Sequence, residues 1–193
     1  MMKKIPIIVL IITFIFLLVL QATSHRPPKH IRYANKVNQA YKEFVLRKYE
    51  LSPSMEGGSL MENIQMISLF FRTHGKHYSV EDARSLMITC IKEYLERINT
   101  NKDIKPYLCV FPFTAENLEF QINFYKEPLL RVEKGYVSTV GVVKGKVYYL
   151  TFDHEKGKSE DLFHESYEEA VRIVEGGHPR GNITTYDATR TQR

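Results

Sequence analysis

Two stretches of the chain carry hydrophobic patterns with a clear period. Between residues 118 and 124, apolar and polar residues alternate in the order LEFQINF. This alternation predicts a β-strand with one buried side and one side that faces solvent. Between residues 80 and 99, apolar residues recur every three or four positions, which predicts an amphipathic helix wide enough to cover a sheet. Ser79 directly precedes this helix and predicts its N-cap.

The remaining elements carry weaker signals. Residues 59–73 are ambiguous, because Ser59 and Glu62 form a capping box for a helix, whereas the Ile, Phe and Thr content favours a strand over residues 65–72. We predict the strand. The other predicted elements are a helix over 33–50, strands over 136–143 and 146–153 joined by a two-residue turn at Lys144 and Gly145, and a helix after the cap Ser166 that ends at Gly176.

These elements predict the fold class and the domain organisation. The order α-β-α-β-β-β-α predicts an α+β fold, with a single, mainly antiparallel four-stranded sheet and helices packed on one of its faces. The polar side of the 118–124 strand would then be open to solvent or to a partner. We divide the chain into a signal peptide or membrane anchor (1–24), a basic spacer that contains prolines (25–32), a single α+β domain (33–177) and a disordered polar tail (178–193).

The amino-terminal segment predicts delivery to or across a membrane. Lys3 and Lys4 precede an apolar run at 5–20, and the sequence Ala22-Thr23-Ser24 fits a signal-peptidase site. The run is shorter than the roughly 20 residues that a membrane-spanning helix needs, which favours a cleaved signal peptide over an anchor. The basic residues that follow the run favour an uncleaved anchor or the reverse orientation. We predict export, to the periplasm, to the medium or on an outward-facing anchor, and leave cleavage open.

The charge of the chain is concentrated near its amino terminus. The net charge is +5, but residues 1–42 contain seven Lys or Arg and no acidic residue, so the remainder has 20 basic against 22 acidic residues. A nucleic-acid-binding domain would carry a basic patch of its own, so we predict no nucleic-acid partner. The basic residues beyond the apolar run are candidates for contact with anionic lipid, or simply a solvated helix face. They are Arg26, Lys29, Arg32, Lys36 and Lys42.

The residue types that support catalysis form no convincing group in the sequence. Cys90 and Cys109 are candidates for a disulfide in an exported chain, or for two separate buried thiols. Both lie in apolar stretches, where a reactive thiolate is disfavoured. His74 and His77 flank a glycine and lack a third ligand at a suitable spacing for zinc. We therefore predict no catalytic residue, no metal and no cofactor.

Two segments of the chain are similar to known sequences. The stretches GGSLMENIQ (57–65) and IKPYLCVFPFTAENLEF (104–120) resemble parts of small, uncharacterised exported bacterial proteins. The resemblance implies bacterial export and no activity. Together these observations predict a non-catalytic exported or envelope-associated binding protein, whose partner is an unidentified protein or envelope component. The alternative is a small envelope enzyme that uses Cys109 or the His74/His77 turn.

Overall fold

The computed structural model describes residues 27–127 and 130–176. The signal or anchor segment predicted at 1–24, Arg26 and the tail predicted at 178–193 lie outside the described residues. No helix in the described ranges is long and apolar enough to span a membrane. In chain order the elements are α1 (Lys29–Tyr49), β1 (Ser52–Ser59), β2 (Met66–His74), α2 (Val80–Thr100), β3 (Leu118–Glu127), β4 (Leu130–Arg131), β5 (Thr139–Val143), β6 (Lys146–Asp153), β7 (Lys158–Ser166) and α3 (Tyr167–Val174).

The sheet is larger than predicted, and it is mixed. Six strands follow the spatial order β1-β2-β3-β5-β6-β7, and the short β4 pairs with β3 outside this row. The pair β2 and β3 is parallel, with Ile67 opposite Leu118, and the other pairs are antiparallel. The prediction of a four-stranded, mainly antiparallel sheet and of the order α-β-α-β-β-β-α was therefore wrong. The α+β class itself is confirmed.

Two of the three strands that the prediction missed lie at the edges of the sheet, where every strand residue is at least partly exposed. β1 has the sequence SPSMEGGS and lies at one edge of the sheet, with every residue at least partly exposed. β7, with the sequence KSEDLFHES, lies at the other edge. Edge strands tolerate proline, glycine and charge because one backbone side needs no partner. Such sequences do not carry the apolar alternation by which a strand is recognised.

The core lies between the inner face of the sheet and the helices. Tyr41 of α1 is fully buried and packs edge-on against Tyr94 of α2, with ring centroids 5.0 Å apart, and against Phe71 and Phe120 of the sheet. Its hydroxyl donates to the Cys90 carbonyl oxygen at 2.6 Å. A single aromatic side chain therefore joins both long helices to the two parallel strands.

Local signals correctly predicted several element boundaries. The hydroxyl oxygen of Ser79 accepts a hydrogen bond from the backbone N–H of Asp82, and Ser166 does the same for Glu169. Lys144 and Gly145 both have positive φ, at 48° and 71°, as a tight hairpin turn of this kind requires. Two element starts differ. α1 begins at Lys29, inside the predicted spacer, and residues 27–28 precede it without regular structure. β5 begins at Thr139, three residues after the predicted start of that strand.

A glycine in β1 provides a test of how the edge strand is held. Gly58 has a φ of 149°, and a Cβ there would lie 2.3 Å from the backbone oxygen of Met66. We expect Gly58→Ala to lower the free energy of unfolding by about 1–3 kcal/mol, because backbone strain and the clash add. The matched control is Gly57→Ala, whose Cβ would meet nothing within 4 Å, and which should cost less than about 0.5 kcal/mol. Denaturant unfolding of both variants measures the difference, and equal values would contradict the assigned backbone at Gly58.

Candidate functional site

The outer face of the sheet is left uncovered by the described helices, which pack on the inner face. The register places side chains from all six strands in straight rows across this face. We call it the open face. Its central row consists of Met55, Phe70, Gln121, Gly141, Tyr148 and His164. A flanking row contains Arg72, Asn123, Thr139, Leu150 and Asp161, and the other contains Ser68, Glu119, Val143, Lys146 and Ser166.

Polar side chains on β3 are held in place by hydrogen bonds within the open face. Asn123 Oδ1 accepts from Gln121 Nε2 and from Thr139 Oγ1, both at 3.0 Å. Ser68 Oγ donates to Glu119 Oε2 at 2.7 Å. These bonds restrict the rotamers of the polar groups, so this part of the open face is preorganised.

One end of the open face is closed by aromatic and cationic contacts. The guanidinium of Arg131 on β4 lies 4.9 Å from the ring centre of Tyr125 and 5.4 Å from that of Phe152. His154 packs edge-on against Phe152 from the following turn. Arg131 thus covers both rings, and the accessible part of the face extends from there across its central row.

The centre of the open face carries a notch where a side chain is missing. Gly141 lies between Gln121 on one side and Tyr148 on the other. A Cβ added there would meet the Phe120 carbonyl oxygen at 3.5 Å and Gln121 side-chain carbons at 3.8 Å or more, which are ordinary contacts. The glycine is therefore not imposed by packing within the sheet, and its substitution is a clean way to alter the surface.

The two histidines of the predicted turn do not converge. His77 Nε2 lies 2.6 Å from Glu133 Oε2, and its ring stacks on Tyr136. His74 instead packs against Tyr125, with ring centroids 5.6 Å apart. Within residues 27–127 and 130–176, no group of three or more His, Cys, Asp or Glu side chains is arranged to hold a metal ion.

The two cysteines are separate free thiols in this structure. Cys90 is fully buried in α2, and burial raises the pKa of its thiol to about 12. Cys109 is exposed, and its Sγ lies 3.9 Å from the Gln65 carbonyl oxygen. The disulfide that the even cysteine count made a candidate is therefore not formed here. The alternative of two buried thiols is correct for Cys90 and wrong for Cys109.

The basic residues proposed for lipid contact have different surroundings. Lys29, Arg32 and Lys36 are exposed on α1, at the three- and four-residue spacing that places them on the same side of a helix. Lys42 lies further along and contacts β1, where its Nζ is 2.6 Å from Glu56 Oε2. Three of the five predicted residues therefore present their charges together at the start of α1.

A buried ionic cluster that the sequence did not reveal ties α2 to the sheet. Arg84 Nε donates to Glu165 Oε1 at 2.7 Å, and the Tyr149 hydroxyl donates to the same oxygen at 2.6 Å. The Arg84 and Glu165 side chains are only 5% and 4% exposed, and Glu165 Oε2 accepts no hydrogen bond from the described residues. Burial raises the pKa of the Tyr149 hydroxyl. Solvent barely reaches this cluster, so its role is structural: it connects α2 to β6 and β7.

A groove lies between α1 and the end of α2. It is lined by Lys36, Val37, Ala40, Arg97, Thr100 and Asn101. Neither cysteine nor either turn histidine lines it, so the groove does not bring together the residues of the predicted enzyme alternative.

Comparison of the chain with protein-family models, with curated proteins and with solved structures gave no match.

Proposed function

We propose that this chain is a non-catalytic binding protein, exported or envelope-associated, that recognises a protein partner through the open face of its sheet. The observation that carries the proposal is the uncovered six-strand face with its ordered central row. Export rests on the amino-terminal sequence alone, namely the apolar run at 5–20 and the small residues after it.

The size and shape of the open face favour a protein over a small molecule. Six strands about 4.8 Å apart span about 24 Å, and strands of eight or nine residues run for about 25–30 Å. The resulting area of roughly 600–700 Å² approaches the ~800 Å² that each partner contributes to a standard protein–protein interface. Small ligands instead bind in concave pockets that enclose most of their surface.

The side chains on the open face also favour a protein partner over a small molecule. Met55, Phe70 and Tyr148 occupy the central row, and charged residues such as Arg72 and Asp161 lie in a flanking row. Aromatic and methionine side chains at the centre with charges towards the rim are typical of protein interfaces. Met55 is 61% exposed at the edge strand, which extends the apolar centre to the margin of the sheet.

A photocrosslinking experiment with a substitution in the notch tests this proposal. A photoreactive phenylalanine analogue replaces Tyr148 in the full chain, in the cell that produces it, and is expected to yield a discrete crosslinked protein. Gly141→Lys should reduce that product at least about tenfold, since it places a long charged side chain at the centre of the interface. Thermal unfolding of Gly141→Lys should remain close to that of the parent chain.

The same analogue at Tyr136 provides the matched control. Tyr136 is 44% exposed, outside the open face, and stacks on His77. It should give no discrete product. Failure of the Tyr148 probe to crosslink any protein, or a product that is unaffected by Gly141→Lys, would count against the open face as the binding surface.

A further inference from the structure

Three segments that are distant in sequence meet at one end of the molecule. The first turns of α1 contact the loop between β1 and β2, because His30 Nε2 lies 2.7 Å from the Leu60 carbonyl oxygen. That loop pairs with the segment after α2: Ile64 N–H donates to the Tyr107 carbonyl, and Cys109 N–H donates to the Ile64 carbonyl. Tyr33 stacks on Tyr107 and completes the contact. We call residues 27–36, 60–65 and 101–113 the basal surface.

The basal surface exposes large apolar side chains on two of its segments. Met61 is 86% exposed, and Val110 and Phe111 are 46% and 49% exposed. Lys105 Nζ lies 3.8 Å from the ring centre of Phe111, so a cation adjoins the largest of these apolar groups. Exposed apolar side chains bordered by cations are the composition by which proteins insert shallowly into the boundary between headgroups and acyl chains.

The charge of the basal surface is positive. Five basic residues lie within its segments, against two acidic residues, Glu62 and Asp103. The basic residues are Lys29, Arg32, Lys36, Lys102 and Lys105. Lys36 also lines the groove between α1 and α2, together with Arg97. The positive surface therefore continues between the two long helices. A cationic surface of this kind is complementary to anionic lipid headgroups.

The short distance in sequence between the apolar run and the basal surface is a separate argument for membrane contact. The apolar run at 5–20 ends seven residues before residue 27, where the described chain joins the basal surface. Six or seven residues reach no more than about 25 Å even when fully extended. While that run is held in a bilayer, the basal surface is the part of the described domain nearest to the lipid.

From these observations we infer that the basal surface docks on an anionic lipid bilayer, with Met61, Val110 and Phe111 entering the headgroup region and the basic residues contacting phosphates. The docked surface includes the loops at 60–65 and 101–113 and is therefore not confined to α1. The inference is independent of the partner bound by the open face, and either proposal can fail alone.

Cys109 provides a probe at the centre of this surface. It is exposed between Leu108 and Val110, whereas the only other cysteine in the sequence, Cys90, is buried. An environment-sensitive fluorophore on Cys109 of the full chain, reconstituted in vesicles that contain phosphatidylglycerol, should shift to shorter wavelength and be quenched by nitroxide-labelled lipid. Both effects should be lost in vesicles of phosphatidylcholine alone and in about 1 M salt, where the screening length falls to about 3 Å.

The matched control places the same fluorophore at the opposite end of the sheet. Ser159 is exposed at the start of β7, across from Phe152, and β7 begins at the end of the sheet remote from residue 66, where β2 begins. In the Cys109→Ser/Ser159→Cys chain the lipid quencher should have no effect. Equal quenching of the two labels, or quenching of neither, would overturn the proposal.

Charge variants separate specific docking from general attraction. Lys29→Gln/Arg32→Gln/Lys36→Gln should lower the ratio of docked to undocked domain on the order of 100-fold, as expected for three headgroup contacts. The control Arg47→Gln/Lys76→Gln/Lys158→Gln removes the same charge from exposed positions outside both the basal surface and the central row of the open face and should leave the quenching of the Cys109 label unchanged. Equal losses in the two triple variants, or no loss in either, would contradict docking through the basal surface.

Discussion

Replacing Arg84 by methionine is expected to lower the free energy of unfolding by about 3–5 kcal/mol, because it leaves a buried carboxylate without its cation. Glu165 is 4% exposed and would keep only the Tyr149 hydroxyl as a hydrogen-bond donor. The lost contact joins α2 to the edge strand β7, across 81 positions of sequence. Denaturant unfolding followed by circular dichroism measures the change, and the denaturant dependence should remain that of a single transition.

A fully apolar replacement of the cluster separates the cost of an unpaired charge from the value of the ion pair. In Arg84→Met/Glu165→Met/Tyr149→Phe no buried charge or hydroxyl remains, and the stability should return to within about 1–2 kcal/mol of the parent chain. If Arg84→Met alone costs less than about 1 kcal/mol, the carboxylate must reach water or another donor, and the cluster is not closed as described.

Alkaline pH is expected to unfold the protein cooperatively. Tyr41, Tyr94 and Tyr149 are fully buried, and burial raises the pKa of each phenol above its usual value of 10.0. Below pH 10 both states keep these protons, so the stabilisation is complete. As pH rises above 10 the unfolded state releases protons that the folded state retains, and stability falls until the folded-state pKa values are reached.

The size of this effect follows from the number of protons involved. Each buried phenol removes about 1.4 kcal/mol of stability per pH unit above 10, so the three together remove about 4 kcal/mol per unit. A domain with a stability of about 5–15 kcal/mol should therefore unfold between about pH 11 and 14. The absorbance of tyrosinate and the circular dichroism should change in one coincident step.

Two tyrosine variants check the assignment of this effect. Tyr41→Phe removes one of the three protons, so the loss of stability per pH unit should fall by about a third. Tyr136→Phe removes a phenol that is 44% exposed and should leave the slope unchanged. A gradual titration of every tyrosine near pH 10, with the circular dichroism intact, would show that the buried phenols are accessible to solvent.

The open face and the basal surface can be occupied at the same time. β2, β3 and β6 begin near the basal end, so these strands lead away from the proposed membrane. A partner bound to Tyr148 or Gln121 would approach from the side, next to the bilayer. The two proposals therefore use different residues of the domain, and neither surface needs to be free for the other to bind.

The elements with a strong local pattern were predictable from sequence. The α2 helix, the β3 strand, the hairpin turn at Lys144 and Gly145, and the caps at Ser79 and Ser166 all lie close to their predicted positions. In each case the signal is contained in a few neighbouring residues, either as a burial period or as a side chain that satisfies the nearby backbone. The polar side of β3 was likewise recognisable as the side away from the core, where Glu119, Gln121 and Asn123 are partly exposed.

What only the tertiary structure decided is the pairing of distant segments. The edge strands β1 and β7 carry little apolar alternation, so their place in the sheet depends on the partners beside them. The parallel pairing of β2 with β3 determines which side chains adjoin Gln121 on the open face. The Arg84–Glu165 pair and the basal surface join positions tens of residues apart. Local sequence determines which face of an element is buried, but it contains no direct record of register between strands, and both proposed surfaces are products of that register.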